Sequence, residues 1–294
     1  MPSAPARVQL GFFPEPRADD LAALVRRVEY ADRAGLDLIG IQDHPYQRRF
    51  VDTFALLSYL AARTSRVTLF PDVANLPLRG PAALAKQAAT IDLLSGGRFE
   101  LGIGAGGMWD AIAGMGGPRR TPGEALAALA ESLQVIRALW SADRGLRVDG
   151  EHYRLAGVHG GPSPVHDVGI WVGGYGDRMM RLIGTHADGW VPSMAFLPPS
   201  QLEAKSLLLD AAAREAGRAP TDIRRVYNVG GTITEGHDDR DDAIVGPVSF
   251  WVDRLVALAG EHRIDAFVLW PGGDVDAQLE LFAEQVAPAV RAQV

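Results

Sequence analysis

Short apolar runs rich in β-branched residues alternate with longer amphipathic segments along the whole chain. This alternation is typical of strand–helix units repeated around a parallel sheet. Within the first amphipathic segment, Leu21, Val25 and Val28 recur at helical spacing, and Gly35 follows as a stop signal. We count about eight such units.

The pattern predicts eight main strands and eight main helices. The strands are predicted over residues 8–12, 37–41, 67–70, 99–103, 169–172, 189–191, 223–233 and 266–269. The helices are predicted over residues 19–34, 52–63, 81–94, 122–140, 177–186, 199–216, 247–260 and 275–291. A hairpin over residues 146–155, turning at Asp149-Gly150, interrupts this rhythm.

The fold class that fits these units is α/β, an eight-stranded parallel (β/α)8 TIM barrel with insertions. No break in composition divides the chain, so we predict a single domain over residues 1–294. A doubly wound open sheet would give a similar pattern and stays open as the alternative.

Composition narrows the possible functions. The chain has 294 residues, of which 47% are hydrophobic and 22% charged, as in ordinary globular proteins. It has no Cys, which excludes disulfides, a thiolate nucleophile and a thiolate metal site, so redox chemistry would need a cofactor. The formal net charge of −7 opposes nucleic-acid binding. The scattered His residues and the lack of a zinc-helix motif predict no metal.

Membrane and secretion signals are also missing from the sequence. No run approaches the 18 or so apolar residues of a membrane span, and residues 1–10 lack the apolar core of a signal peptide. We therefore expect a cytoplasmic protein with no membrane partner. The acidic run over residues 235–242 is interpreted as a solvated loop.

A glycine-rich stretch closes the fourth predicted strand. Glycine lets a backbone approach a flat or phosphorylated ligand, because no Cβ stands in the way. The spacing also satisfies the dinucleotide fingerprint, but the segment after it, residues 108–117, is short and interrupted by glycine instead of forming a long helix. A packing turn without a ligand is the alternative. The candidate cofactor-binding residues are Gly104, Ala105, Gly106 and Gly107.

Polar residues follow the other predicted strands, where a barrel of this type builds its active site. After the second strand, Asp43 and His44 place a carboxylate beside an imidazole, which suits proton transfer or the orientation of a polar group. The alternative is an Asp43 that caps the next turn and a His44 exposed at the surface. The candidate catalytic residues are His44 and Asp43.

Two further segments complete the candidate site. The segment after the third strand carries a carboxylate and an amide, although it could be a proline-rich connector. The segment after the fifth strand opens a helix with unsatisfied N–H groups, which favour phosphate, although a turn without a ligand is equally consistent. The candidate cofactor-binding residues here are Asp72, Val73, Ala74 and Asn75, then Gly173, Gly174, Tyr175, Gly176, Asp177 and Arg178.

Two blocks of the chain resemble the luciferase-like oxidoreductases, which are barrel enzymes dependent on flavin or deazaflavin. The first is LAKQAATIDLLSGGRFELGIGAG over residues 84–106, and the second is IWVGGYGDRMMRLIGTHADGW over residues 170–190. The resemblance runs over nearly the whole chain. It implies an eight-stranded barrel, a homodimer, and an isoalloxazine-type ring at the carboxyl ends of the strands.

The resemblance also implies roles for the candidate residues. Asp43 and His44 match the pair that faces the reactive edge of the ring in the coenzyme F420-dependent branch. A cis peptide is implied at Asp72-Val73 or one position later, and Asn75 matches an amide that contacts the ring. Residues 104–107 would approach the ring and residues 173–178 would hold the phosphate. The chain departs from the family after its strand-four glycines, where the first acid is Asp110.

The resemblance favours an F420-dependent oxidoreductase that moves hydride to or from a small organic substrate. An FMN-dependent monooxygenase supplied by a separate flavin reductase is the alternative, and a non-catalytic flavin-binding barrel is the second alternative. Asp43, His44 and the turn GGYGDR over residues 173–178 favour F420 over FMN, and the presence of both Asp43 and His44 argues against the non-catalytic barrel. In each case the cofactor would supply the redox chemistry, and the protein would supply binding and orientation.

Overall fold

The computed structural model of the chain describes residues 7–238 and 240–294. Residues 1–6, on which part of the signal-peptide prediction rests, lie outside the described residues, as does Asp239 in the acidic run. The described residues of that run are exposed, as expected for a solvated loop.

The barrel strands are β1 (Gln9–Phe12), β2 (Leu38–Ile41), β3 (Thr68–Pro71), β4 (Ala74–Asn75), β5 (Leu101–Gly104), β8 (Ile170–Gly173), β9 (Gly189–Trp190), β10 (Arg224–Ile233) and β12 (Ala266–Pro271), with β11 (Ile244–Gly246) at the edge of β10. They form a parallel barrel in the spatial order β3, β2, β1, β12, β10, β9, β8, β5, β4, with the short β11 paired to β10. A bridge between Leu69 and Phe99 joins β3 to the segment before β5 and closes the ring. Because β3 and β4 together occupy one position beside β5, the barrel has eight positions and the open-sheet alternative is wrong.

Helices cover the outside of the barrel, and most lie where hydrophobic periodicity predicts them. They are α1 (Leu21–Arg33), α2 (Thr53–Arg63), α3 (Leu76–Arg79), α4 (Pro81–Ser95), α5 (Trp109–Gly114), α6 (Pro122–Trp140), α7 (Asp177–His186), α8 (Pro199–Glu215), α9 (Val248–His262), α10 (Val275–Leu281) and α11 (Ala287–Arg291). None of the described helices has both the length and the apolarity needed to cross a bilayer.

The last predicted helix is helical over all of residues 275–291 but is not a regular α-helix throughout. A π-helical turn, Phe282–Val286, separates α10 from α11. Pro288 has no N–H to donate to the preceding turn, so the regular ladder cannot run through this point. Two short helices and two short strands were not predicted, namely α3, α5, β4 and β11.

The predicted hairpin lies outside the barrel as β6 (Leu146–Asp149) and β7 (Arg154–Val158), which pair antiparallel. Its turn is fixed from α6 by one side chain. The carboxylate of Glu131 accepts the N–H groups of Glu151, His152 and Tyr153 at 2.8–3.0 Å.

The lumen of the barrel is filled by a compact apolar cluster separate from the larger core between strands and helices. Its buried members are Phe13, Leu38, Phe70, Trp171, Val191, Val226, Ala266 and Val268. The lumen is closed at the amino ends of the strands, where Glu100 accepts the N–H of Gly169 at 2.6 Å and approaches the His166 ring at 3.6 Å. Burial raises the pKa of Glu100 to about 7, although these contacts stabilise its charged form and oppose the rise.

Two glycines of the glycine-rich stretch are required by packing within the protein. A Cβ on Gly102 would lie 2.1 Å from the carbonyl oxygen of Pro71, and one on Gly104 would lie 2.8 Å from Cγ2 of Val73. The segment between β3 and β4 therefore presses directly against β5. At these two positions, the glycines make room for another part of the chain.

We expect Gly102→Ala to lower the free energy of unfolding by about 1–3 kcal/mol, because its methyl group would overlap a backbone oxygen. Urea denaturation measures this loss. Gly123→Ala is the matched control, because nothing lies within 4 Å of its Cβ position in α6. That control should gain up to about 1 kcal/mol from helix propensity. Equal stability of the two variants would contradict the packing role of Gly102.

Candidate active site

A buried ion pair organises one side of the barrel mouth. Asp43, which follows β2, is 1% exposed and accepts Nε and Nη2 of Arg79 at 2.6 and 2.7 Å. The same carboxylate accepts the backbone N–H of Asn75 at 2.8 Å. Arg79 also binds Asp52 and lies over the ring of Phe54. Asp43 therefore ties the end of β2 to β4 and α3.

His44 lies beside this ion pair and is half-buried. Its imidazole stacks on Tyr46, with ring centroids 5.4 Å apart and planes 17° from parallel. Desolvation lowers the pKa of His44 below its usual range, although the negative charge of Asp43 opposes this. Burial therefore favours the neutral imidazole, which is the form that can accept a proton.

The segment between β3 and β4 enters the mouth from the other side. A cis peptide joins Asp72 to Val73, at the first of the two positions that the resemblance implies. The Val73 side chain lies against β5 and β8, within 3.3 Å of the Cβ positions of Gly102 and Gly173. The Oδ2 atom of Asp72 and the Oδ1 atom of Asn75 are buried without a hydrogen-bond partner.

Two more polar atoms lack partners near the same strand ends. Nε2 of Gln42 is a buried donor after β2, and Oδ1 of Asn228 is a buried acceptor in β10. Buried polar groups are almost always paired, so unpaired ones mark places where a ligand can supply the partner. A flat heterocycle with N–H and C=O edges has the groups that these donors and acceptors need.

A cavity of about 630 Å3 lies next to this region, between the loop after β5 and the start of α7. No side chain caps the first N–H groups of α7, because Gly176 occupies the cap position. The positive end of the helix dipole and the free N–H groups favour an anion such as phosphate. The lining residues are Ala105, Gly106, Trp109, Pro122, Ala125, Leu126, Tyr175, Gly176, Asp177, Arg178, Met179 and Lys205.

The cavity brings together parts of two segments proposed from the sequence. Ala105 and Gly106 of the first segment and residues 175–178 of the second line its wall, whereas Gly104, Gly107, Gly173 and Gly174 are not among the lining residues. Asp43, His44 and residues 72–75 are not among them either. Asp110 lies on the surface in an ion pair with Arg119 and is 94% exposed, so it supplies no buried acid.

Several residues of the site were not predicted. Asn228 carries a sequence signal, because it is a polar residue in the middle of an apolar strand. Arg79 and Lys205 carry none, since Arg79 pairs with Asp43 across 36 positions and Lys205 reaches Asp177 across 28. Among the described residues, no group of His, Asp and Glu side chains is arranged to hold a metal ion.

A family model described as luciferase-like monooxygenase matches residues 4–281. The chain belongs to this family. An F420-dependent glucose-6-phosphate dehydrogenase of Intrasporangium calvum is 28% identical over 82% of this chain and 73% of its own length. One from Amycolatopsis mediterranei is 32% identical over 81% of this chain and 73% of its own length.

Solved structures of luciferase-like proteins share this fold. An F420-dependent secondary alcohol dehydrogenase in complex with an F420-acetone adduct has a TM-score of 0.86 at 19% identity, covering 97% of this chain and 99% of its own. The EDTA monooxygenase of Chelativorans has a TM-score of 0.83 at 16% identity, covering 97% and 94%. At these identities the likeness shows the barrel fold.

We expect Arg79→Met to lower the free energy of unfolding by about 3–5 kcal/mol, because it leaves Asp43 buried and unpaired. Thermal or urea denaturation measures the loss. Arg63→Met is the control, because it removes an exposed pair with Glu29 and should cost less than about 1 kcal/mol. If both variants lose the same stability, the Asp43–Arg79 pair does not organise the mouth.

Proposed function

We propose that the protein is an oxidoreductase that uses coenzyme F420 as a hydride carrier for a small organic substrate. The observation that carries the proposal is the pair of unpartnered polar atoms of Gln42 and Asn75 next to a cavity whose helix end favours an anion. Such a pair of subsites suits a flat ring joined to a phosphate. Relatives named F420-dependent glucose-6-phosphate dehydrogenase support the choice of F420.

The residues present fit this cofactor, which when bound supplies a two-electron carrier that the protein lacks. Val73 would back the ring, and Asn75 would offer its free amide oxygen to the ring edge. The phosphate would be held by the first turn of α7, with Arg178 and Lys205 as cations. Lys205 already pairs with Asp177 at 2.7 Å, so Arg178 is the cation more free to bind an anion.

His44 would be the general base. In the oxidation direction, its imidazole would accept the O–H proton of a substrate alcohol, and the cofactor, when bound, would supply the acceptor for the hydride. Asp43 has three hydrogen bonds to Arg79 and Asn75, so we assign it to positioning the loop that carries His44. The substrate would reach His44 from the open mouth of the barrel.

An FMN-dependent monooxygenase with a separate flavin reductase is the alternative, because monooxygenases of this family share the barrel. A non-catalytic flavin-binding barrel is the second alternative, and the presence of both Asp43 and His44 argues against it. The homodimer, the single domain over residues 1–294 and the cytoplasmic location stay predictions.

The cofactor assignment predicts tighter binding of F420 than of FMN in fluorescence titrations. Arg178→Gln should weaken F420 binding by about tenfold or more, because it removes a charge-assisted contact to phosphate. Arg181→Gln is the matched control, one turn further along α7 and outside the cavity lining. Tighter FMN binding would reverse the assignment, and equal effects of the two variants would place the phosphate elsewhere.

His44→Ala should lower turnover by about 10²–10⁴ while F420 affinity stays within a few-fold, as expected for a positioned general base. Steady-state kinetics with a secondary alcohol, together with a binding titration, measure the two effects. Because the pKa of His44 is lowered, wild-type oxidation should fall on acidification only below the usual pH range of a histidine. Full activity of the variant would remove His44 from the mechanism.

A further inference from the structure

One acidic side chain lies inside the barrel without a counter-charge. Asp72 follows β3, and its Oδ2 atom is buried and unpartnered. That oxygen faces β2, where a Cβ on Gly40 would lie only 3.0 Å from it and 2.9 Å from Cζ of Phe70. The wall on this side therefore offers a carbon surface and no donor.

The neighbours on the other elements supply little compensation. The side-chain amide of Asn228 in β10 hydrogen-bonds the carboxyl and opposes the rise in its pKa, and its Nδ2 also donates to Oγ of Ser193 at 3.1 Å. The ionisable group that faces Asp72 is Tyr175, whose own pKa is raised by burial and by the Asp72 charge. Among the described residues, no Lys, Arg or His contributes to the charge around Asp72.

Two buried oxygen atoms beside each other's side chains have no hydrogen-bond donor. Oδ2 of Asp72 and Oδ1 of Asn228 are both unpartnered acceptors. A proton on Asp72 turns one carboxyl oxygen from an acceptor into a donor, whereas the ionised form leaves Oδ2 buried without a donor. The ionised form would carry a buried Oδ2 with no cation beside it and one hydrogen bond from Asn228, so the neutral form is favoured. In agreement, burial raises the pKa of Asp72 to about 7.

We propose that Asp72 is a proton-holding positioning residue of the cofactor site, which admits an anionic ring when it is neutral and repels it when it is ionised. This inference rests on the proposed function, because it assumes that the ring lies over Val73. The deazaflavin of F420 has an acidic ring hydroxyl, and its ring is anionic at neutral pH. A second buried negative charge beside it would be repelled more strongly than in water, because burial weakens screening.

The test is the dissociation constant of F420 measured by fluorescence from pH 5.5 to 8.5 for the wild-type protein and for Asp72→Asn. The ratio of the two constants cancels the ionisation of F420 itself. Below about pH 6 the ratio should be flat, and above about pH 7 wild-type binding should weaken relative to the variant by up to tenfold per pH unit, the limit for one linked proton. A ratio that does not depend on pH overturns the inference.

Glu100→Gln is the matched control, because its carboxyl also has a pKa raised to about 7 but lies at the opposite end of the barrel. It should leave the pH dependence of F420 binding unchanged. An equal change in both variants would show that any buried carboxyl has this effect and would overturn the assignment to Asp72. If Asp72→Asn does not fold, Asp72→Ser provides the same neutral comparison.

A measurement without cofactor tests the proton itself. A carboxyl whose pKa is raised on folding makes the folded state less stable as pH rises from about 4 to about 7, because the unfolded chain releases its proton first. The stability of Asp72→Asn relative to wild type should therefore rise over this range and then level off. A flat difference would contradict the inference. Failure of the wild-type protein to bind F420 at any pH would instead overturn the proposed function.

Discussion

The barrel mouth depends on the close approach of the segment between β3 and β4 to β5. Only hydrogen at the Cα of Gly102 leaves space for the Pro71 carbonyl, and the same holds for Gly104 and the Val73 side chain. This contact brings Val73 into the lumen and carries Asn75 to Asp43. The ion pair of Asp43 with Arg79 then locks the arrangement from the β2 side. The fit of Pro71 and Val73 against the two glycines therefore sets the geometry of the mouth, and the ion pair of Asp43 with Arg79 stabilises it.

The mouth divides its charged groups into those that hold the protein together and those that remain available. Asp43 and Arg79 satisfy one another, so neither is free to bind a ligand. Among the described residues, His44, Asp72 and Arg178 have no ion-pair partner, and they follow β2, β3 and β8, respectively. A base, a buried acid and an exposed cation thus remain for the chemistry of the site. In an ordinary exposed polar loop, a charged residue could not be assigned to either the structural or the available group.

The sequence predicted the strands and helices wherever hydrophobic periodicity ran for a full element. It did not predict β4 or α3, because two or four residues are too few to show a period. The site was predicted where polar residues end a strand, as with His44 and Asn75. Arg79 and Lys205 depend on contacts between distant segments, which local patterns do not contain. The glycine-rich stretch was interpreted as room for a ligand, whereas Gly102 and Gly104 make room for the chain itself.

The external hairpin is a part of this protein whose length can change without changing the barrel. Its turn is attached to α6 through one carboxylate, Glu131, which gathers three backbone N–H groups. The two strands pair with each other in a sheet of their own, separate from that of the barrel. Residues can therefore be inserted into or deleted from these strands during evolution without shifting the eight barrel positions. The hairpin is a part of the surface where new contacts can arise while the catalytic framework is inherited intact.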